Sequence, residues 1–153
     1  MGKERPKVIP TAYLVLIKDN KILLSRRYNT GFQDGKYSLP AGHLGGDEET
    51  LAQAIVREGR EEIGVKIDSA DLALVHVMHR KQTEPTNERR INLFFRACKW
   101  QGEPRIMEPN KCDDLQWFDY DSLPNNTVPY VRQAIECFRN GTAYSEYGFS
   151  DRQ

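Results

Sequence analysis

The segment Arg57-Glu58-Gly59-Arg60-Glu61-Glu62-Ile63-Gly64-Val65 decides how this chain is read. Glu58, Glu61 and Glu62 stand at i, i+3 and i+4, so in a helix they share one face. Like charges at that spacing destabilise an isolated helix by roughly 0.2–0.5 kcal/mol per pair. They also sit at the helix C-terminal end, where the macrodipole disfavours anions. The plain alternative is a solvated face with Arg57 and Arg60 as neutralising neighbours. The helical wheel argues against it. At about 100° per residue, Glu58 and Glu62 point the same way as Leu51, Ala54 and Ile55, whereas Gln53 and Arg60 point roughly opposite. A carboxylate aimed inward needs a cation or a shifted pKa. Three oxygen donors on one face suit a hard divalent ion.

The flanks delimit this helix. Thr50 is placed as its N-cap and Gly64 as its left-handed stop, so the helix is predicted over 50–63. Before it, Leu39-Pro40-Ala41-Gly42-His43-Leu44-Gly45-Gly46-Asp47-Glu48-Glu49 combines further acids with small residues that let backbone approach a ligand. Upstream, residues 8–18 read as a strand, Asp19-Asn20 as a turn and 21–26 as a returning strand. Residues 28–37 read as a loop. Downstream, 72–79 and 91–100 read as strands joined by a polar loop, KQTEPTNERR. A short strand is expected at 115–118, a turn at 124–127, and an amphipathic helix over 128–139 stopped by Asn140-Gly141. The tail from Thr142 carries Tyr144, Tyr147 and Phe149 and receives no element. The sum is a mixed sheet with two helices, of α/β or α+β class.

The whole chain is consistent with that reading. Its 153 residues are expected to form a single domain over 1–153. Lys plus Arg and Asp plus Glu both number 22, and this balance argues against a dedicated nucleic-acid binder. No apolar run approaches the ~18 residues a transmembrane helix needs. Residues 1–6 are charged and lack the apolar stretch of a signal peptide. Cys98, Cys112 and Cys137 are widely spaced and form no CxxC pair, so neither a disulfide framework nor a zinc site is expected. A reducing cytoplasm is the expected location.

Together the loop and helix resemble the Nudix box, the signature of the Nudix hydrolase superfamily. The family pattern is an opening Gly, a spaced Glu, then Arg-Glu-apolar-any-Glu-Glu-any-Gly-apolar. Arg57, Glu58, Glu61, Glu62, Gly64 and Val65 match it directly, and Gly42 matches the opening glycine. Two departures stand out. The box is one residue longer than the pattern, so either Glu48 or Glu49 takes the middle glutamate; Glu49 keeps Thr50 in register as cap. Gly59 fills an apolar slot. Tyr37-Ser38-Leu39-Pro40 before the box, and Trp117-Phe118 with Asp121-Ser122-Leu123-Pro124 after it, also resemble the family. The resemblance implies the Nudix fold, an α/β/α sandwich around a mixed β-sheet.

It also implies roles. Glu58, Glu61 and Glu62, with the carbonyl of Ala41, would bind Mg²⁺ or Mn²⁺. Arg57 would hold the glutamates from behind, and Glu49 would pair with Arg57 or support the metal. The reaction implied is hydrolysis of a phosphoanhydride, which needs a general base. Glu-Pro-any-Lys-Cys segments like Glu108-Pro109-Asn110-Lys111-Cys112 occur in relatives that hydrolyse nucleoside triphosphates, so Glu108 is the chosen base. It is expected on a mobile loop. Asp113 and Asp114 are weaker choices, and Glu103 serves as control. Arg26, Arg27, His43 and Arg90 are candidate phosphate contacts. Tyr13, Phe32, Tyr37, Phe95 and Trp117 could stack a base, though each fits a core better. His76 and His79 fit structural roles.

ADP-ribose pyrophosphatases tend to carry proline where this chain has Arg80. Diadenosine polyphosphate hydrolases often carry tyrosine near Lys81-Gln82-Thr83, and the NADH-type Ser-Gln-Pro-Trp motif is missing. The expected substrate is a small-molecule nucleotide, a nucleoside triphosphate giving monophosphate and pyrophosphate. A nucleotide-sugar or other nucleoside diphosphate derivative, or a non-catalytic nucleotide-binding module, are the alternatives. No membrane partner is expected, and a homodimer stays open.

Overall fold

A computed structural model describes residues 2–150. Residues 1 and 151–153, part of the expected domain span and N-terminal reading, lie outside the described residues. The strands are β1 (Ile9–Val15), β2 (Ile17–Lys18), β3 (Lys21–Arg27), β4 (Tyr37–Ser38), β5 (Ala41–Gly42), β6 (Leu72–Gln82), β7 (Glu88–Ala97), β8 (Cys112–Asp119) and β9 (Tyr144–Tyr147). The helices are α1 (Leu51–Ile63) and α2 (Pro129–Arg139), with a short 3-10 turn at Ser69–Asp71.

β1 explains the architecture. Ala12, Leu14 and Leu16 are buried toward one side, with Ile55 and Ile63 of α1. Tyr13 and Val15 are buried toward the other, with Val131 and Ile135 of α2. A strand covered on both faces reads as a continuous apolar run, which accounts for residues 12–17. The five-stranded sheet runs β5-β1-β7-β6-β9, mixed in sense: β1 pairs parallel with β7, and β6 parallel with β9. A smaller antiparallel sheet, β2-β3-β4 with β8 on β3, flanks it. Helices on opposite faces of the mixed sheet give the α/β/α arrangement.

Helix α1 has the limits its caps dictate. Thr50 and Gln53 form a capping box, and Gly64 ends the helix at φ 70°. Gly59 is buried there, and a methyl on it would lie 3.1 Å from Ile67 Cδ1 and 3.4 Å from Leu14 Cδ2. The apolar slot is filled from across the interface by Ile67 and Leu14. This glycine lets α1 approach β1 closely.

Two segments differ from expectation. The polar stretch 81–90 is half strand: the β6–β7 ladder continues through Arg80↔Arg90, Lys81↔Arg89 and Gln82↔Glu88, leaving 83–87 as the turn. Backbone pairing is indifferent to side-chain polarity, and here the polar side chains wall a cavity. The tail forms β9. His76 holds it, with Nδ1 2.8 Å from Thr142 O and Nε2 2.8 Å from Ser145 Oγ, and His79 packs on Phe149. Both histidines are structural, as expected. Among the described residues no helix is long and apolar enough to cross a membrane.

Gly148 seals this tail. It sits at φ 87°, and a methyl there would overlap the Lys81 carbonyl oxygen. Gly148→Ala should therefore cost about 1–3 kcal/mol in urea unfolding and expose β9 to proteolysis ahead of the rest. An unchanged midpoint and cleavage pattern would show that the tail is not docked this way.

Candidate active site

Arg57 organises the acids of α1. Its Nε and Nη2 form a fork with Glu49, at 2.8 and 3.0 Å. Nη2 also donates to the His43 carbonyl at 2.9 Å. Nη1 reaches Glu58 Oε1 at 2.7 Å and Glu61 Oε2 at 3.2 Å. Glu49 additionally accepts the Gly45 N–H at 2.7 Å. The Arg57 hydrogen bonds, and that from Gly45, hold the Glu49 carboxyl down to about 2. Glu48 is exposed. Glu49 therefore takes the middle position, and the extra residue lies in the loop ahead of it.

Glu62 behaves differently. Its Oε2 accepts the Ala41 N–H at 3.3 Å, and no arginine touches it among the described residues. The neighbouring Pro40 carbonyl accepts from Leu14 of β1, so the Ala41 N–H is turned toward α1. Burial, then the charge of Glu58 and a hydrogen bond shared with it, raise the Glu62 carboxyl to about 8. Glu58 packs under Gly42, where a Cβ would overlap its Cγ. The opening glycine of the loop is thus a space requirement.

Among the described residues no three His, Cys, Asp or Glu side chains already converge as a metal site. Arg57 takes one oxygen each from Glu58 and Glu61. The chemistry of the donors nevertheless fits a divalent cation. Glu58 and Glu62 are carboxyls on the inward side, and burial with the neighbouring Glu58 charge favours the protonated form of Glu62. Glu61, half exposed, stands beside them.

Glu108 faces the same space. A cavity of about 380 Å³ is lined by Ala41, His43, Glu62, Glu108, Lys111 and Cys112 among others. The charge of Glu108 also contributes to the raised Glu62 pKa. Its loop backbone is tethered to the C-terminal end of α1. Arg105 N–H donates to Ile63 O at 2.9 Å and Met107 N–H to Glu62 O at 3.1 Å, satisfying the open C-terminal carbonyls of α1. Glu103 is exposed on the same loop. A groove of about 610 Å³ beside Lys66–Asp71 is larger, but contains none of these groups.

A model of the NUDIX domain matches residues 8–138. The chain belongs to the Nudix hydrolase family. It is 29% identical over 119 residues to the NAD-capped RNA hydrolase NudC of Pseudomonas aeruginosa strain LESB58, covering 78% of this chain and 39% of that protein. The chain thus spans about two fifths of the length of this relative. A MutT NUDIX hydrolase from Burkholderia pseudomallei superposes with TM-score 0.76 at 28% identity, over 87% of this chain and 98% of the other. The NUDIX domain of Shewanella oneidensis NrtR, solved with ADP ribose, shares the fold at TM-score 0.68 and 21% identity, over 89% of each chain.

Around the Nudix box the remaining candidates separate. His43 Nε2 lies 3.0 Å from Arg90 Nη1, and burial, then the Arg90 charge, lower its pKa. Arg90 also holds Glu88 and the Thr11 hydroxyl. Arg26 lines the 380 Å³ cavity but is tied to Asp113 at 2.7 Å. Asp114 is bound by the Tyr37 hydroxyl and Gln116. Tyr37 packs edge-on against Phe118, Trp117 stacks on Trp100, and Phe95 packs against the core. Tyr13 and Phe32 line a second cavity, with Arg27 and with Arg80, which the sequence reading left unassigned.

The Glu62 carboxyl yields a sign that can be measured. Its ordinary value is 4.5 and its folded value about 8. Across that window the folded chain holds a proton the unfolded chain has released, so stability falls as pH rises. Glu62→Gln removes this titration. In EDTA the variant should match the parent near pH 5 and exceed it increasingly toward pH 8 in urea unfolding. A difference that stays flat across the window would rule out the raised carboxyl.

Proposed function

We propose that this protein is a Mg²⁺- or Mn²⁺-dependent pyrophosphohydrolase that cleaves a phosphoanhydride bond of a nucleoside triphosphate, releasing monophosphate and pyrophosphate. The observation that carries this reading is the shared cavity: the inward carboxyl of Glu62 and the loop carboxylate of Glu108 line one space with His43 and the Ala41 backbone. Glu58, Glu61 and Glu62, with the Ala41 carbonyl, would hold the cation, which would supply charge neutralisation at the phosphate oxygens and a more acidic water. Glu108 accepts a proton from the attacking water as the new P–O bond forms and the anhydride P–O bond breaks. Arg57 and Glu49 hold Glu58 and Glu61 in position. His43, Arg90 and Arg26 are the candidate substrate contacts, Arg26 once its pairing with Asp113 opens.

The NudC relatives favour a second reading, a nucleoside diphosphate-linked substrate. Both readings share one anhydride and one set of carboxylates. Product analysis separates them, since only the first releases free pyrophosphate.

A nucleotide panel assayed with Mg²⁺ and again with EDTA tests the core of the proposal: turnover should vanish with chelator, and full turnover in EDTA would sink it. Glu108→Gln should lower kcat by about 10²–10⁴-fold, with KM little changed and the acidic limb of the pH–rate profile flattened. Glu103→Gln should be nearly silent. If the two variants exchange these effects, Glu103 is the base.

A further inference from the structure

The second cavity, about 290 Å³, adjoins the first through Ala41, His43 and Arg27, which line both. It collects more positive than negative charge, with Arg27, Arg80 and Arg90 on its lining against Glu88. Arg80 and Arg90 are directly opposed across the β6–β7 ladder. Like charges in that register destabilise a sheet. Arg90 is compensated: Glu88 Oε2 accepts its Nε at 3.0 Å and its Nη2 at 2.6 Å. The other Glu88 oxygen is taken by Thr86. Arg80 has no carboxylate in contact, and Glu88 acts on it only from beyond ion-pair distance. Arg80 is only 4% exposed, its Nε has no partner, and no carboxylate lies within 4.0 Å of it among the described residues. Its Nη1 reaches only the neutral Gln82. The guanidinium lies 3.9 Å over the Tyr130 ring, a contact that supplies no counter-charge. Arg27, on the shared wall, donates to the Phe32 carbonyl and the Thr30 hydroxyl, both neutral.

A buried, unneutralised guanidinium is costly unless an anion arrives to meet it. A stacked base is a poorer match for this space. Each aromatic ring on the wall already has a ring or guanidinium against it: Tyr13 against Phe94, Tyr130 under Arg80, Phe32 beside Arg27. What remains unengaged is charge. We infer that the Arg80 cavity is a subsite for a second oxyanion of the substrate, a phosphate or carboxylate remote from the bond cut beside Glu62. This rests on reading the neighbouring cavity as the phosphoanhydride site. Its wall is the polar strand pair 80–90, and the oxyanion is read by Arg80 with support from Arg27 and Arg90.

The probe is inorganic pyrophosphate, titrated calorimetrically into the full chain in EDTA, so that no metal contributes. Wild type should bind, more weakly as salt rises, and melt at higher temperature with the probe present. Arg80→Met should bind about tenfold or more weakly and, without ligand, melt at or above the wild-type temperature because a buried charge is gone. Arg80→Lys, which keeps the charge, should retain most of the binding. In turnover, Arg80→Met should raise KM while kcat changes little. A KM effect confined to nucleoside triphosphates identifies the oxyanion as the terminal phosphate. An effect confined to nucleoside diphosphates bearing a phosphorylated or carboxylated substituent identifies it as that substituent. Unchanged pyrophosphate binding in Arg80→Met overturns the subsite. So does a wild-type melting temperature indifferent to pyrophosphate, whether or not the variants fold. Should no nucleotide be hydrolysed while binding still depends on Arg80, the subsite stands and the hydrolase reading falls.

Discussion

The structure of the acidic region depends on one guanidinium. Arg57 uses its Nε, Nη1 and Nη2 on Glu49, Glu58, Glu61 and the His43 carbonyl. An arginine presents five N–H donors in a fixed plane, so a single side chain can fix a loop and three carboxylates at once. This answers the cost that opened the reading, glutamates at i, i+3 and i+4 near a helix C-terminus. Two of the three have an arginine oxygen contact. The third, Glu62, is left with a backbone N–H and a carboxyl neighbour, and its pKa records the imbalance. The residual demand for positive charge is therefore concentrated at one place, on the inward side of α1.

The opposite demand lies one cavity away. Along β6 and β7, Arg80 and Arg90 face each other, and only Arg90 has its own carboxylate. Inward carboxyls and an arginine without a contacting carboxylate thus lie in adjoining spaces joined by Ala41, His43 and Arg27. A polyanion carrying a divalent cation would satisfy both. Neither demand needs a fold-level argument; each follows from counting partners of a buried charged group.

Helix α1 was legible because period and charge disagreed with a solvated face, and its caps fixed the ends. β1 was legible as an apolar run because it is covered on both sides. Three features were not. The outer half of the β6–β7 hairpin is polar, so a search for apolar alternation loses it, although Arg80, Gln82, Glu88 and Arg90 all line a cavity. β9, with the sequence Tyr-Ser-Glu-Tyr, is a short edge strand paired in parallel, and its register is set by His76 and the turn before it, contacts distant in sequence. Arg80 carries no motif at all. What marks it is the lack of a partner, and partners exist only once the chain is folded.

The loop carrying Glu108 shows how far sequence chemistry reaches and where it stops. Pro104 and Pro109 rule out a regular helix or central strand there, and mobility was the natural expectation. But α1 ends with carbonyls that need donors, and the left-handed Gly64 satisfies only some of them. Arg105 and Met107 supply donors for the Ile63 and Glu62 carbonyls from the loop. The same helix that carries Glu62 therefore anchors the segment carrying Glu108, and the Glu108 carbonyl closes the next turn by accepting Lys111 and Cys112 N–H. With its backbone held on both sides, Glu108 stays on the wall of the cavity it shares with Glu62. A backbone already ordered in the folded chain has less conformational entropy left to lose when a ligand enters that cavity.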